Sequence, residues 1–355
     1  MNIKSKRIST SGKKVFVGLS GGVDSAVSAA LLKEAGYDVT GVFIKVWSPE
    51  FLPCSWREER RDAMRVAAHL GIPFLFFDFS DEYKRGVVDY MIKEYKLGRT
   101  PNPDVMCNKE VKFKAFWQKA RELGADYIAT GHYAETDSLV LKEGRDKKKD
   151  QSYFLWTLTQ DDLKHTLFPL GKLLKGNVRQ LAKKYKLPVA SKKDSQGICF
   201  IGDVSMEDFL KEFIVSKTGH VINKKKEKIG IHKGALHYTL GQRHGFEISL
   251  NEPSAAPFYV ISKDMKTNTI TVSNNKKEIL EHSAEQIVLH GANWITELRA
   301  TVDARIRYRQ RKFPVRLDGD KVIFSRKQVA VPGQSIVFYH KNVCLGGGII
   351  DKVLL

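Results

Sequence analysis

The sequence predicts an α/β fold, a doubly wound parallel sheet, followed by two small β-rich modules. Three observations predict it. Short apolar, β-prone runs alternate with helix-patterned stretches from Val15 to about residue 216. A Ser-Gly-Gly turn separates the first such strand from the first such helix. From about Thr218 the texture changes to short β-prone runs between Gly, Asn, Pro and Lys turns.

The elements follow in order. Val15-Phe-Val-Gly-Leu19 is apolar and β-prone, the Ser and Gly run breaks it, and Asp24 to Glu34 reads as an Ala- and Leu-rich helix with Gly36 as its C-cap. Val39 to Trp47 is a second buried-type strand. Ser55-x-x-Glu58 is a capping-box pattern opening a helix to about Leu70, with Gly71 behind it. Phe74 to Asp78 is a third strand, followed by a helix to about Leu97. Cys107 to Leu123 reads as a helix and Asp126 to Thr130 as a fourth strand. Gly144 to Asp150 is a charged turn, most simply a solvated hairpin tip. Lys175 to Lys186 is helical, and Met206 to Ser216 reads as the last helix of the first domain. In the β-rich part, Tyr259-Val-Ile, Thr269-Ile-Thr-Val and Lys321-Val-Ile-Phe are strands, with a soft boundary between the two modules near 284 to 290. The expected division is a basic, disordered leader over 1–14, the α/β domain over 15–216, a central β-rich domain over 217–286 and a last one over 287–355.

Composition narrows the function. The 355 residues carry 59 Lys and Arg against 40 Asp and Glu, a net charge of +19, which points to a polyanionic partner, nucleic acid first. No run approaches the roughly eighteen apolar residues of a membrane span. The four cysteines, Cys54, Cys107, Cys199 and Cys344, form no C-x-x-C pair, so zinc-ribbon, iron–sulfur and thioredoxin-type spacings are absent. They suggest a reducing compartment and individual thiol chemistry.

The motif that carries most chemistry is Gly18-Leu19-Ser20-Gly21-Gly22-Val23-Asp24-Ser25. Two glycines let the backbone approach an anion, and amides at a helix start point at it with the positive end of the dipole. A polyphosphate fits there. A Walker loop would need a Lys before its Ser or Thr, and here Asp24 stands in that place. The plain alternative is a tight strand-to-helix turn.

Thr100-Pro-Asn-Pro-Asp-Val-Met-Cys-Asn-Lys-Glu110 joins two predicted helices, its prolines holding it stiff and placing Asp104 and Cys107 at the start of the next helix. A helix start lowers a thiol pKa. Cys107 alone could equally be structural, and Asp104 alone an N-cap. Cys199 lies between glycines in Asp194-Ser-Gln-Gly-Ile-Cys-Phe-Ile-Gly202, suggesting an accessible loop, against a buried strand position between Ile198 and Phe200. Thr130-Gly-His-Tyr133 follows the fourth strand at its carboxyl edge, where Gly131 would let a nucleotide lie close; His132 could be a satisfied loop histidine. Arg305, Arg307, Arg309 and Arg311 are spaced by two, so on a strand they share one face suited to RNA phosphates.

Together these motifs resemble the bacterial tRNA-specific 2-thiouridylase family, PP-loop ATP pyrophosphatases. Ser20 to Ser25, Asn102 to Lys109, Thr130 to Tyr133, Asp150 to Leu155, Asp194 to Gly202, Thr239 to Arg243, Arg307 to Gln310 and Pro332 to Gln334 carry the likeness, in the family's order. The resemblance implies an adenine nucleotide alpha hydrolase-like first domain and a last domain that is a tRNA-binding β-barrel. It implies that ATP, with Mg²⁺, adenylates the C2 oxygen of the wobble uridine in the tRNAs for Lys, Glu and Gln, and that sulfur replaces that oxygen in the cytoplasm. Cys199 would take the sulfur as a persulfide from a relay protein or cysteine desulfurase, Cys107 would be the nucleophile ending in a Cys107 to Cys199 disulfide, and Asp104 the general acid/base. Asn102, Pro103 and Asp104 would cradle the base. Gly18 to Ser25, Ile44 (where many relatives carry Met) and Gly131 would hold ATP. His132, Lys149, Asp150, Gln151, Arg305, Arg307, Tyr308, Arg309 and Gln334 would touch tRNA.

Two rival readings stand beside it. Another PP-loop pyrophosphatase acting on a small metabolite would explain the loop but neither the paired cysteine motifs nor the Arg row. A non-catalytic RNA-binding protein would not need Asp104, Cys107 and Cys199. The glycines around Cys199 suggest a loop that orders only when tRNA binds.

Overall fold

A computed structural model of the chain describes residues 12–51, 56–137, 139–194, 204–249, 256–297 and 301–355. The leader up to residue 11, Cys54 and the Cys199 loop lie outside the described residues. The chain divides into two compact units. The first takes the described residues up to Val87, those from Asp104 to 194, and Asn342–Cys344. The second takes Val88–Pro103, Val204–Lys341 and Leu345–Leu355.

The first unit is built on β1 (Lys14–Gly18), β2 (Asp38–Lys45), β3 (Phe74–Asp78), β4 (Tyr127–Ala129), the hairpin strands β5 (Ala134–Asp137) and β6 (Val140–Glu143), and β7 (Thr166–Leu167). Five of these make a parallel sheet in the order β3-β2-β1-β4-β7. A strand covered by helices on both faces needs no polar side, which is why Val15-Phe-Val17 reads as an unbroken apolar run, each residue at most 5% exposed. The chain winds outward from β1 to β3 and then returns to the other side of β1 as β4. That reversal makes a topological switch point between β1 and β4, and the loops leaving both strands open into it.

Helix α1 (Val23–Glu34) leaves the first of those loops with eight buried residues against the sheet. It ends with Gly36 N–H bonded to Lys33 O and Tyr37 N–H to Leu32 O, a Schellman arrangement. Helix α2 (Trp56–Leu70) covers the same face through Ala63, Val66 and Ala67. The helix expected from Cys107 starts earlier, with Pro103 in its first turn, where a missing N–H costs nothing. It runs as α-helix over Pro103–Cys107, π-helix over Asn108–Ala115 and α-helix again over Phe116–Glu122.

The stretch from Gly144 to Asp150 is not a hairpin tip, because the hairpin is β5–β6 and turns between Asp137 and Val140. It is a loop folded on its own acids. Asp146 accepts from the N–H groups of Lys148 (3.0 Å) and Lys175 (2.9 Å), and Asp150 from those of Gly144 (3.0 Å) and Ser152 (3.1 Å).

In the second unit, β8 (Gly219–Ile222), β9 (Lys228–His232), β10 (Glu247–Ile248), β11 (Tyr259–Asp264) and β12 (Thr269–Ser273) form a mixed sheet in the order β10-β9-β8-β12-β11, around Val221, Tyr238, Val260 and Ile270. The helix Met206–Lys211 groups with this unit, Glu207 pairing with Lys233 at 3.2 Å. β13 (Ala284–Trp294), β14 (Thr301–Arg305), β15 (Phe313–Asp318), β16 (Lys321–Gln328), β17 (Ser335–His340) and β18 (Val343–Leu354) follow in the order β13-β16-β15-β14-β17-β18, and β13 pairs with β18 to close a six-stranded antiparallel barrel. Closure pairs the first and last strands of the barrel, β13 and β18, with each other.

Leu19 connects this fold to the glycine loop. Its N–H continues the ladder to Val42 O at 2.7 Å, and its side chain fills the space that Gly41 leaves, since a Cβ there would lie 2.5 Å from Leu19 Cδ1. Leu19→Ala is expected to cost about 2–5 kcal/mol, read as a lowered urea midpoint for the first unit.

Candidate active site

The loop between β1 and α1 is fixed by its own serines and by two close backbone approaches. Ser25 Oγ accepts from Ser20 N–H at 3.1 Å and donates to Gly22 O at 3.2 Å. Gly21 has φ +71° and lies so near α2 that a Cβ would be 2.4 Å from Glu59 O. At Gly131, just past β4, a Cβ would be 2.9 Å from Ser25 N and 3.1 Å from Asp24 C. Both positions admit only glycine, and the backbone that Gly131 approaches is that of the first turn of α1. Gly22 caps α1 in an extended conformation, without any side-chain hydrogen bond to the helix N–H groups. That turn therefore keeps its donors and its dipole for an anion.

Charged groups meet at Asp24. Its Oδ1 accepts from Tyr133 OH at 2.8 Å, and both its oxygens lie 2.8 Å from Lys175 Nζ. Lys175 also reaches Asp194 Oδ1 at 2.8 Å, and Asp194 further binds Lys149 at 2.7 Å and Arg179. Burial, and then the neighbouring Asp24 carboxylate, push the Tyr133 phenol far above its ordinary range, so it stays a donor. Burial alone would raise Asp194, but hydrogen bonds from Lys149 and Lys175 outweigh it and hold the carboxyl well below the usual carboxylate range. Three cations face these two carboxylates, and Asp146, bonded to the Lys175 N–H, adds a third acid beside them.

Asp104 stands in the first turn of its helix. Desolvation raises its pKa, with the Lys112 charge partly opposing. Cys107, 3% exposed, follows one turn on, so it sits inside the helix and not at its start. Asn108 anchors this helix by donating to Phe154 O at 3.0 Å. His132 is buried, its Nδ1 2.8 Å from Thr130 Oγ1 and its ring against Phe113 and Phe168. Burial, then the Lys112 charge, push its pKa well below the ordinary value, so it is neutral and offers no charge to a phosphate.

Ile44 lies half-buried on β2, opposite Phe77. Lys149 is held by Asp194; Asp150 is 3% exposed; Gln151 Oε1 accepts from Tyr133 N–H at 3.0 Å. The expected Cys107 to Cys199 pairing falls outside the described residues through Cys199. Asn102 and Pro103 group with the second unit.

In that unit the arginines do not share one strand face. β14 ends at Arg305, and the chain turns: Arg309 has φ +62°, and Gln310 Oε1 takes the Ile306 N–H at 3.0 Å. A straight strand would line up guanidinium groups that repel one another; the turn separates them. Arg305 lies over the Tyr339 ring and Arg309 over Tyr308, both at 5.0 Å, while Arg307 donates to Val329 O at 3.3 Å. Gln334 donates its amide to the backbone carbonyls of Thr100 (2.8 Å) and Pro101 (3.3 Å).

Three consecutive family models match: a tRNA methyl transferase HUP domain over residues 13–203, a tRNA methyl transferase PRC-barrel domain over 207–274 and an aminomethyltransferase beta-barrel domain over 284–350. A protein of Listeria monocytogenes described as tRNA-specific 2-thiouridylase MnmA is 46% identical, over 96% of this chain and 95% of its own. The chain belongs to the tRNA-specific 2-thiouridylase family. A Francisella philomiragia protein of the same description is also 46% identical, over 95% of this chain and 99% of its own.

Against this thiouridylase background, Lys175 is the residue that motif reading missed. It is the first residue of the helix Lys175–Lys184, where a cation opposes the helix dipole. That misplacement was the available signal.

The two shifted carboxyls predict opposite responses to pH. Asp104 has a folded pKa above its unfolded value of about 3.9, so the folded chain holds the extra proton between the two and stability falls as pH rises through that window. Asp104→Asn should therefore melt above the wild type at pH 8, with the gap closing as the pH is lowered toward about 4; a pH-independent gap would contradict desolvation as the cause. Asp194 has a depressed folded pKa, so its contribution is full above about 3.9 and is lost as pH falls through the lower folded value. Asp194→Asn should melt below the wild type at neutral pH.

Proposed function

We propose that this chain replaces the C2 oxygen of the wobble uridine of tRNA with sulfur, using ATP and releasing AMP and pyrophosphate. The observation that carries the reading is the uncapped first turn of α1 behind a loop that needs glycine at 21 and is met by Gly131, with Asp24 and Lys175 beside it. These groups fit a polyphosphate. Gly18 to Ser25 hold the phosphates, Lys175 exchanges a carboxylate for them, and Ile44 and Gly131 lie toward the adenosine. Among the described residues no group of three or more His, Cys, Asp or Glu could hold a metal alone. Asp24 suits Mg²⁺, which binds through one or two carboxylates together with substrate phosphates. When bound, Mg²⁺ neutralises phosphate charge.

In the first step the uridine O2 attacks the α-phosphorus and pyrophosphate leaves, turning a poor leaving group into AMP. Asn102, Pro103 and Asp104 hold the base, unstacked from the anticodon. Cys199 carries a persulfide delivered by a relay protein or a cysteine desulfurase. Its terminal sulfur attacks C2, and AMP departs with the former O2. Cys107 then attacks the Cys199 sulfur, so that the C2 sulfur leaves as the thiocarbonyl and a Cys107–Cys199 disulfide remains; a dithiol reductant restores it. Asp104, more basic than an ordinary Asp, moves the protons. The tRNAs for Lys, Glu and Gln are the substrates, in the reducing cytoplasm. Arg305, Arg307, Tyr308 and Arg309 contact the tRNA backbone, and Lys149 and Gln151 contact tRNA, while His132 and Asp150, both buried, brace the turns behind them.

The test is nucleoside mass analysis of unmodified tRNA incubated with the protein, ATP, Mg²⁺ and a persulfide donor. 2-Thiouridine is expected only with ATP. Cys107→Ser and Cys199→Ser should abolish it while tRNA binding survives, and Asp104→Asn should slow it about 10²–10⁴-fold. AMP formation that does not need tRNA, with no thiolated base, would favour a small-metabolite substrate. Arg307→Ala should weaken tRNA binding and lower the slope of log affinity against log salt by about 1; an unchanged slope would remove Arg307 from the phosphate contacts.

A further inference from the structure

The turn between β8 and β9 and the start of the helix Lys276–Glu281 carry Lys224, Lys225, Lys226, Lys228, Lys276 and Lys277, all exposed. Sheet topology brings the two groups together. β8 and β12 run parallel, with Val221 opposite Ile270 and Ile222 opposite Thr271, so their carboxyl ends lie side by side. The chain leaves β8 into the lysine turn and β12 into the lysine-bearing helix. Lys224 closes the contact by pairing with Glu281 at the end of that helix. All of these residues belong to the second unit.

Folding alone does not call for lysines at these places. The turn is stiff: Asn223 Oδ1 accepts from the N–H groups of Lys225 (2.9 Å) and Glu227 (3.0 Å), and Lys226 N–H donates to Asn223 O at 3.0 Å. Lys226 takes φ +63°, a conformation that glycine or asparagine adopts at less cost than lysine. Lys276 and Lys277 fill the first turn of their helix, where a cation opposes the dipole. The acids of this edge are engaged in holding it. Glu227 accepts from the Asn223 amide at 2.7 Å, Glu278 from the Ser273 hydroxyl at 2.6 Å, and Glu281 takes Lys224. Among the described residues, no acid pairs with Lys225, Lys226, Lys228, Lys276 or Lys277. Lysine ammonium groups are mobile point charges, suited to phosphates and without the planar fork that reads a base. Arg305, Arg307 and Arg309 account for only a small part of the +19 charge.

We propose that this lysine edge of the central sheet is a further tRNA-binding surface, which holds backbone phosphates without regard to sequence. The inference rests on the reading of tRNA as the substrate and extends it to residues that no motif singled out.

The experiment measures affinity for unmodified tRNA across a salt series, with melting temperatures and 2-thiouridine formation alongside. It compares wild type, the triple variant Lys225→Gln, Lys226→Gln, Lys228→Gln, the double variant Lys276→Gln, Lys277→Gln, and the single variant Lys226→Asn. The triple variant is expected to bind tRNA about 10-fold or more weakly at about 0.15 M salt, with the slope of log affinity against log salt smaller by about 2–3; the double variant should lose about 1–2 from the slope. Lys226→Asn should melt at or above the wild type, because asparagine suits φ +63°, and still bind tRNA about 2- to 5-fold more weakly. Wild-type affinity and slope in both multiple variants, with the wild type forming 2-thiouridine, would overturn the lysine surface and leave the thiolation reading standing. A wild type that binds no tRNA would overturn both. Variants that keep tRNA affinity but lose 2-thiouridine only when a protein delivers the sulfur, and not with free sulfide, would make the edge a site for an acidic protein and overturn the tRNA assignment.

Discussion

The carboxylate of Asp24 joins three pieces of chain that are remote in sequence. It receives Tyr133, 109 residues away, and Lys175, 151 residues away, while its own backbone starts α1. The rest of the first unit is consistent with that junction. Parallel strands of one sheet bring the ends of β1 and β4 side by side, Gly131 lets the second chain touch the first, and Gly21 lets α2 close on the loop from the other side. Substituting a side chain for either glycine's hydrogen would push the loop off its helix. Lys175 then bridges Asp24 and Asp194, and Lys149 and Arg179 also bind Asp194.

Electrostatics divides the labour between residues that look alike in the sequence. Asp104 and Asp194 are both acids in family motifs, yet one is desolvated and pushed toward the proton while the other is bonded to lysines and pushed away from it. The first suits proton transfer and the second suits holding cations in place. His132 belongs with the structural set, since a neutral imidazole packed between Phe113 and Phe168 adds rigidity behind the Thr130 to Tyr133 turn.

What the sequence made legible was local. The strand, glycine loop and helix of 14 to 34 could be read because a doubly covered strand leaves a continuous apolar run, and helix stops at Gly36 and Gly71 because their signals lie within a few residues. What it hid was long-range capture of polar groups. Gly144 to Asp150 read as a solvated tip because it is dense in charge, while the ordering comes from Asp146 and Asp150 binding backbone N–H groups, one of them at Lys175. The alternating arginines read as a strand because period two is a strand signal, whereas Gln310 folds back on Ile306 and ends β14 at Arg305. The stretch Arg99 to Pro101 likewise gave no local sign of its partners, which lie far along the chain: Thr100 bonds Pro332 and Gln334, and Arg99 bonds Asp351.

The most direct test of the account follows the oxygen. tRNA carrying ¹⁸O at C2 of the wobble uridine would be thiolated by this protein with unlabelled ATP, and the products examined by mass spectrometry. Activation of O2 by adenylation predicts the label in AMP, equimolar with 2-thiouridine and with none in pyrophosphate. Label left in water or in pyrophosphate, or ADP in place of AMP, would contradict the central claim that the glycine loop and the Asp24 cluster serve attack on the α-phosphorus.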